Sequence, residues 1–589
     1  MVASRALTTA LGLLSIAIAD FRARRGFEPS EPFFWLGLLI IVVPIGLALW
    51  SPRPTRRDRI GLVLLLGLGL QFVKVFYNPG NPAFFDEFSH SRTAIDIAVS
   101  GHLFLPNPLQ PISPYYPGLE ALTVVFAALS GLSLDQAGVL VIGIGRMVLV
   151  LALFMLFERA SRSHRAAGAA VLLYAANPSF LLFDAQFSYE SLVLPFAVVA
   201  AALLAARTPW RAGTALARAL LAGIAITAAV VTHHVTSFAL AAFLVAWAAV
   251  GRLHRRAAAK QRTPVAPAVF AAAAATAWLL LMSPLTVPYI APHVIGGFEQ
   301  LVQLITGEST GRRLFEDAAG VPAPLLERVV GYLAVFLILA ALPVALWTIR
   351  RSYGRSPIAI TFGLVALGYP ASLALRLTSA GAETAGRLSA FVFIGVAFAI
   401  AVWGARVTAV QTSAIRSRLL AVASTAVFVG GVVVGFPPWA RLPFPYRPAA
   451  DSRSVEPEGL SAAAWTAAEL GPHHVFLTDR TNRQLLGSYG YQDPTYITPA
   501  ADLLLSPTLD QAGLRFIASH RIEYVLADRR LSLALPLAGG AYVIGSEMGG
   551  RPKTSPLDPA AFTKFDMLPA ASRVFDSGDI QIFDLKGLW

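Results

Sequence analysis

The chain contains no cysteine among its 589 residues. Disulfide bracing and thiolate chemistry are therefore excluded, so any part outside a reducing compartment must hold together by its core alone. Charge is also scarce: 14% of residues are Asp, Glu, Lys or Arg, against 56% that are hydrophobic, and the mean hydropathy is +0.62. A water-soluble globule of this length could not hide so much apolar surface, because a folded surface needs polar cover. Internal repeats are absent, as is any low-complexity tract beyond alanine-rich helix filler. No P-loop, Gly-rich dinucleotide turn or zinc-ligand spacing stands out.

What the sequence has in abundance is long apolar runs. Recurring up to about residue 436, they match the thickness of a bilayer's hydrocarbon core. They predict spanning helices over 6–19, 33–50, 60–77, 137–157, 167–183, 190–206, 218–231, 235–250, 266–284, 328–348, 356–375, 388–403 and 419–436. The fold class expected is thus a polytopic α-helical membrane protein of about 11 to 13 spans, with residues 1–436 forming the membrane domain. The first run reads as a short uncleaved helix, with a cleaved signal peptide as the other reading.

The net charge of +13 does not form one basic face. Arg and Lys sit in short loops: 51–59 (Arg53, Arg56, Arg57, Arg59), 158–166 (Arg159, Arg162, Arg165), 207–218, 251–262 (Arg252, Arg255, Arg256, Lys260, Arg262), 349–355 and 404–418. That distribution argues for topology signals and headgroup contact and against nucleic acid. If the apolar stretch 116–132 lies along the outer leaflet instead of crossing, all six loops fall on the cytoplasmic side. The long loop 78–136, the connection near Asp184, His233-His234, the loop 285–327, the turn 376–387 and everything after 437 then share the outside.

After Phe436 the texture changes. Pro437, Pro438, Pro443, Pro445 and Pro448 mark a stiff linker over 437–454. Residues 455–589 read as a soluble, extracytoplasmic α/β domain. Ala462–Leu470 is helical, and strands are expected at Val475–Thr478 and Ile522–Ala527. A hairpin is expected over Arg573–Asp584, turning at Ser577-Gly578-Asp579.

Ionisable side chains at helix ends of a membrane protein are functional candidates, because burying them is costly. Asp86-Glu87-Phe88-Ser89-His90 follows a turn; read as helix, it puts His90 within one turn of both acids. Such a trio suits base catalysis, a divalent metal or a hydroxylated ligand, with a solvated interfacial face as the plain alternative. Asp184 is a second acid at an outer helix end, followed by Gln186, Tyr189 and Glu190. His233-His234 point to different sides of any helix and make a weak metal pair. Arg312, Arg313, Arg376 and Arg387 are phosphate-clamp candidates, with a loop-stabilising Arg–Glu383 pair as the alternative. Carboxylates and guanidiniums gathered on one membrane face suggest a lipid-linked anion, whose tail would occupy a helix groove.

These features together resemble the GT-C superfamily of membrane glycosyltransferases. The resemblance is carried by Asp86-Glu87 in the first long outer loop, Tyr115-Tyr116-Pro117 opening an amphipathic outer-leaflet helix, Asn177-Pro178-Ser179-Phe180, and a second outer acid at Asp184. That superfamily includes oligosaccharyltransferases, protein O-mannosyltransferases and the aminoarabinose transferases of lipid A. It implies an inverting transfer from a polyprenyl-phosphate sugar to a cell-envelope acceptor (glycan, lipid or protein) on the outer face of a bacterial cell membrane. Asp86 or Glu87 would be the base, Asp184 would orient acceptor or metal, and Arg376 or Arg387 would neutralise the lipid phosphate. His90, Tyr115, Tyr116, His233 and Arg312 are expected to line the substrate. Metal use varies in that superfamily, with Mg or Mn the divalent candidates, and stays open. A polysaccharide ligase or polymerase, centred on the loop 285–327 with His293, Arg312 and Arg313, is the nearer rival. A secondary transporter is the more distant one, since its ionisable residues would lie mid-helix.

Overall fold

The computed structural model describes residues 1–79, 82–206, 212–254, 263–308, 311–316, 320–408, 414–443, 445–450, 453–537, 540–545, 547 and 553–589. Arg255, Arg256, Lys260 and Arg262 of the fourth basic loop, and the side chain of His293, lie outside the described residues.

The membrane part is helical throughout: α1 (Val2–Arg24), α2 (Glu31–Trp50), α3 (Arg56–Tyr77), α4 (Phe85–Ser100), α5 (Gly118–Ser130), α6 (Leu134–Ser161), α7 (His164–Tyr174), α8 (Tyr189–Leu204), α9 (Ala212–Thr232), α10 (His234–Leu253), α11 (Val265–Leu281), α12 (Thr286–Thr306), α13 (Leu325–Tyr353), α14 (Pro357–Ala366), α15 (Gly368–Leu375), α16 (Ser379–Val407) and α17 (Ala414–Gly435). Among the described residues, nine segments are long and apolar enough to cross a bilayer, α14 and α15 together making one. A tenth is the pair α11–α12, bent by 103° at its break. The protein is a multi-pass membrane protein.

Two local outcomes shape the site. The helix expected over 167–183 ends at Tyr174, and the chain continues through turns to a 3₁₀ turn at Phe183–Ala185. Pro178 disfavours helix at Asn177, and α17 closes directly on this turn. A Cβ at Gly431 would stand 2.0 Å from the Ala176 carbonyl oxygen, and one at Gly435 1.8 Å from that of Pro178. The segment 116–132 forms α5, whose 13 residues span about 20 Å, short of a crossing. Its Leu122, Val125 and Leu129 are exposed on one side while Leu119, Glu120, Thr123 and Ala127 are buried on the other, the pattern of a helix lying along a surface.

The C-terminal segment carries a five-stranded sheet ordered β2-β1-β3-β5-β4. Its strands are β1 (Val475–Leu477), β2 (Asp493–Pro494), β3 (Tyr524–Asp528), β4 (Ser572–Asp576) and β5 (Ile580–Asp584). β1 runs parallel to β2 and β3, and β5 is antiparallel to β3 and β4. The expected strands and the hairpin turn at 577–579 are all present. Among the flanking helices, α18 (Pro438–Arg441) joins this segment to α17. α19 (Pro457–Trp465), α20 (Arg480–Ser488), α21 (Thr498–Leu505) and α22 (Gln511–Ser519) pack on the sheet. Arg441 makes a buried bidentate pair with Glu327 of α13 (2.5 and 3.0 Å), and its guanidinium lies over the Trp35 ring. One apolar cluster is common to both parts: Phe88 of α4 and Leu109 pack with Ala462, Phe476, Leu485, Tyr524 and Ile582.

Candidate active site

The first wall is the N-terminus of α4. The Glu87 carboxylate is 2.7 Å from Lys74 Nζ at the end of α3. It also accepts from the backbone N–H groups of Ala83 (2.9 Å), Phe84 (3.3 Å) and Phe187 (2.9 Å). These bonds tie α3, the turn before α4 and the segment before α8 into one unit, and they occupy both carboxylate oxygens. Asp86, the preceding residue, is half-buried and forms no hydrogen bond or ion pair among the described residues. The two acids expected as alternatives for one role are thus differently placed, because neighbouring helical residues point to different sides.

The second wall comes from the α7–α8 connection, α10 and the start of α16. Arg387 donates to Glu383 (3.0 Å), lies 3.9 Å from Glu190, and is within electrostatic reach of Asp86 and Tyr189. Tyr189 is the hub of a ring cluster, with His90 edge-on at 4.4 Å and His233 stacked at 4.4 Å. His90 Nδ1 is 2.5 Å from Glu120 Oε1, both side chains being buried. Gln110 donates to Tyr189 Oη (3.4 Å). Several buried polar atoms here lack a hydrogen-bond partner among the described residues: both Glu190 oxygens, Glu120 Oε2, Gln110 Oε1, His233 Nε2 and His234 Nδ1.

Asp184 stands in the 3₁₀ turn, where burial raises its carboxyl pKa to about 7 against the pull of the nearby Arg146 charge. It accepts from Asn177 Nδ2 (3.3 Å), and Ser389 donates to Asn177 Oδ1 (2.7 Å). Asp184 Oδ1 has no hydrogen-bond partner among the described residues. Ser389 is also on the wall of a cavity of about 1300 Å³. The cavity is apolar where α13, α16 and α17 face it, through Ala334, Ile338, Phe393 and Val427. Arg312, Arg376, Arg447 and Arg453 also line it. The segments carrying the first two adjoin, since Arg312 N–H donates to the Leu377 carbonyl (2.7 Å). Neither the Arg312 nor the Arg376 guanidinium has a carboxylate or hydrogen-bond partner among the described residues.

The structure therefore brings Asp86, Arg387, His90 and His233 around Tyr189, and puts Arg376 and Arg312 on the cavity wall, to which Arg387 does not contribute. Tyr116 is buried, and its hydroxyl accepts from Thr286 (3.4 Å). Tyr115 offers its carbonyl to Trp278 Nε1 (3.0 Å). His233 caps α10 through Thr236. Tyr189 and Glu190 were visible in the sequence beside Asp184, but nothing there gave them a role. Glu120, Gln110 and Tyr289, whose ring lies 6.5 Å from that of His234, carried no signal, because only the fold draws α5, the loop after α4 and α12 to the same place. Among the described residues, no three His, Asp or Glu side chains are arranged to hold a metal ion.

No family model matches this sequence, and no curated protein matches it either. Solved structures do. ArnT from Cupriavidus metallidurans bound to undecaprenyl phosphate is 13% identical, with 93% of this chain and 98% of that one covered at a TM-score of 0.46. The same protein in its apo state gives 14%, 90%, 98% and 0.47. The arabinofuranosyltransferase AftD from Mycobacteria is 14% identical with a TM-score of 0.51, covering 91% of this chain and 42% of the longer AftD chain. The likeness to AftD is one of fold.

Proposed function

We propose that this protein is a membrane glycosyltransferase that moves a sugar from a polyprenyl-phosphate donor to a hydroxyl-bearing acceptor of the cell envelope, on the face where α4, α5 and the C-terminal domain lie. The observation that carries this reading is the pairing of two features: Asp86, an acid with no hydrogen-bond partner among the described residues, and a largely apolar cavity whose wall holds Arg312 and Arg376, whose guanidiniums have no carboxylate or hydrogen-bond partner there. A polyprenyl tail would lie along α13 and α17, with its phosphate at those two guanidiniums. The unpartnered atoms around Tyr189 offer hydrogen bonds that a polyhydroxylated ligand would complete, relieving the cost of leaving them bare.

In the transfer, Asp86 takes the proton of the acceptor hydroxyl as its oxygen attacks the anomeric carbon. The bond from that carbon to the phosphate oxygen breaks, the polyprenyl phosphate leaves as an anion held by Arg312 and Arg376, and the anomeric configuration inverts. Asp184, on its Asn177–Ser389 chain, orients the acceptor. Glu87 is a structural partner of Lys74 in this scheme, and Arg387 serves the Asp86–Glu190 side. No step is routed through a metal.

The test is transfer in proteoliposomes supplied with a panel of polyprenyl-phosphate pentoses and hexoses. Asp86→Asn should lower turnover about 100-fold or more, the range of a lost general base. Arg376→Gln should weaken undecaprenyl phosphate binding about tenfold, a change of about 1.4 kcal/mol. Wild-type turnover in Asp86→Asn would remove the reading.

A further inference from the structure

α4 is shared between the two halves of the molecule, and one of its side chains, Arg92, makes several of the polar contacts that join them. Arg92 is 1% exposed. Its Nε donates to both oxygens of Asp96 one turn along α4 (3.0 and 3.1 Å). Its Nη1 donates to the carbonyls of Gly487 (2.7 Å) and Gln492 (3.1 Å), and its Nη2 lies 3.6 Å from Asp493. The guanidinium also sits over the Tyr491 ring at 5.2 Å. All the partners beyond Asp96 belong to the end of α20 and the turn into β2. The reverse contact also exists: Arg483 of α20 donates to the carbonyls of Pro108 (2.7 Å) and Leu109 (3.1 Å) in the loop after α4. Phe88, two residues from Asp86, is buried in the same apolar cluster as the sheet residues Phe476, Tyr524 and Ile582.

Resting on the proposed glycosyl transfer, we infer that the C-terminal domain positions the base, with Arg92 as the positioning residue that fixes α4 and so the place of Asp86. The fork of Arg92 reaches two carbonyls and a carboxylate at once, which fixes both the depth and the rotation of the helix. Glu87 holds only the first turn of α4, from the membrane side. Asp86 lies in that anchored turn, and His90, bonded to Glu120 of α5, and Thr93, bonded to Asn107 and Ser113, hold the next turns from the side. What Arg92 adds is the tilt and rotation of the helix against the C-terminal domain, and a displacement of about 1 Å at a reacting group costs about 100-fold in rate. Lys74–Glu87 on the membrane side, Arg92 with the 487–493 segment on the other, and these lateral bonds together set the place of α4.

The experiment uses the full chain in nanodiscs, with three readouts: sugar transfer, undecaprenyl phosphate binding and hydrogen exchange. Arg92→Gln should lower turnover about 10- to 100-fold, leave undecaprenyl phosphate affinity unchanged, and raise exchange within α4 but not in α6 or α16. Arg92→Lys, which keeps the charge but not the fork, should recover part of that protection. Asp493→Asn, at a half-exposed position on the far side of the clamp, should raise α4 exchange slightly in a chain that folds normally. Wild-type turnover in Arg92→Gln overturns the inference. So does exchange that rises equally across the membrane helices, or an α4 unaffected by all three substitutions. Should the wild-type chain transfer no sugar, the glycosyltransferase reading fails, while the exchange data still decide whether Arg92 fixes α4.

Discussion

At Asp86 the carboxylate has no hydrogen-bond partner among the described residues, whereas Glu87 is engaged by Lys74 and by the amides of Ala83, Phe84 and Phe187. The two acids should therefore fail in different ways. Glu87→Gln leaves the Lys74 ammonium buried without its counter-ion, which costs about 3–5 kcal/mol and should lower the thermal midpoint of the detergent-solubilised chain. Asp86→Asn should leave that midpoint in place while removing turnover, and equal midpoints for both variants would contradict the division of roles. The sequence offered Asp86-Glu87 as a pair and could not separate them. What separates them is Lys74, twelve positions before Asp86, and Phe187, a hundred after Glu87, neither of which declares its partner by spacing.

Elements show where periodicity suffices and where it fails. Apolar runs foretold the long helices, because a spanning helix is written in consecutive residues, and the turn residues Ser577-Gly578-Asp579 between two strand-like runs foretold the hairpin. The break after Tyr174 was not legible in the same way. Pro178 disfavours helix at Asn177 locally, but the shape of the turn also rests on Gly431 and Gly435 of α17, which let that helix press on it, and that long-range contact leaves no local pattern. Gly435→Ala should accordingly disturb Asp184 through its turn, lowering both the thermal midpoint and turnover. α20 supplies a prediction in pH. Its N-cap Asp479 has its pKa raised to about 6 by burial and then by the Asp528 charge. A group with a raised folded pKa contributes stability that is present below its unfolded value and lost as pH rises through the folded one. Asp479→Asn keeps the cap, so its thermal midpoint should gain on wild type between about pH 4 and pH 7. A constant gap across that window would contradict the assignment.

For the whole molecule, the cavity of about 1300 Å³ predicts linkage between lipid and stability. A ligand at 100 times its Kd stabilises the state it binds by about 2.7 kcal/mol. Undecaprenyl phosphate should therefore raise the thermal midpoint, and an Arg312→Gln/Arg376→Gln chain should lose most of that rise. A cavity of this kind cannot be read from sequence, since its wall draws on α13, α16, α17 and on Arg447 and Arg453 of the 437–454 segment. The opposite is true of the general plan, a membrane domain followed by a mixed α/β segment, which the apolar runs up to about residue 436 and the change of texture after it announce. The shared apolar cluster has a consequence for how the protein is made. Phe88 leaves the ribosome nearly five hundred residues before Ile582, its neighbour in that cluster, a delay of about 25 to 100 s at 5–20 residues per second. Throughout that interval α4 is synthesised but not yet covered on its outer side, so the helix bearing Asp86 is completed only when the last strands arrive. A ribosome that stops early, or a nascent chain cut before β5, releases a membrane domain whose α4 lacks the partners that the last strands bring.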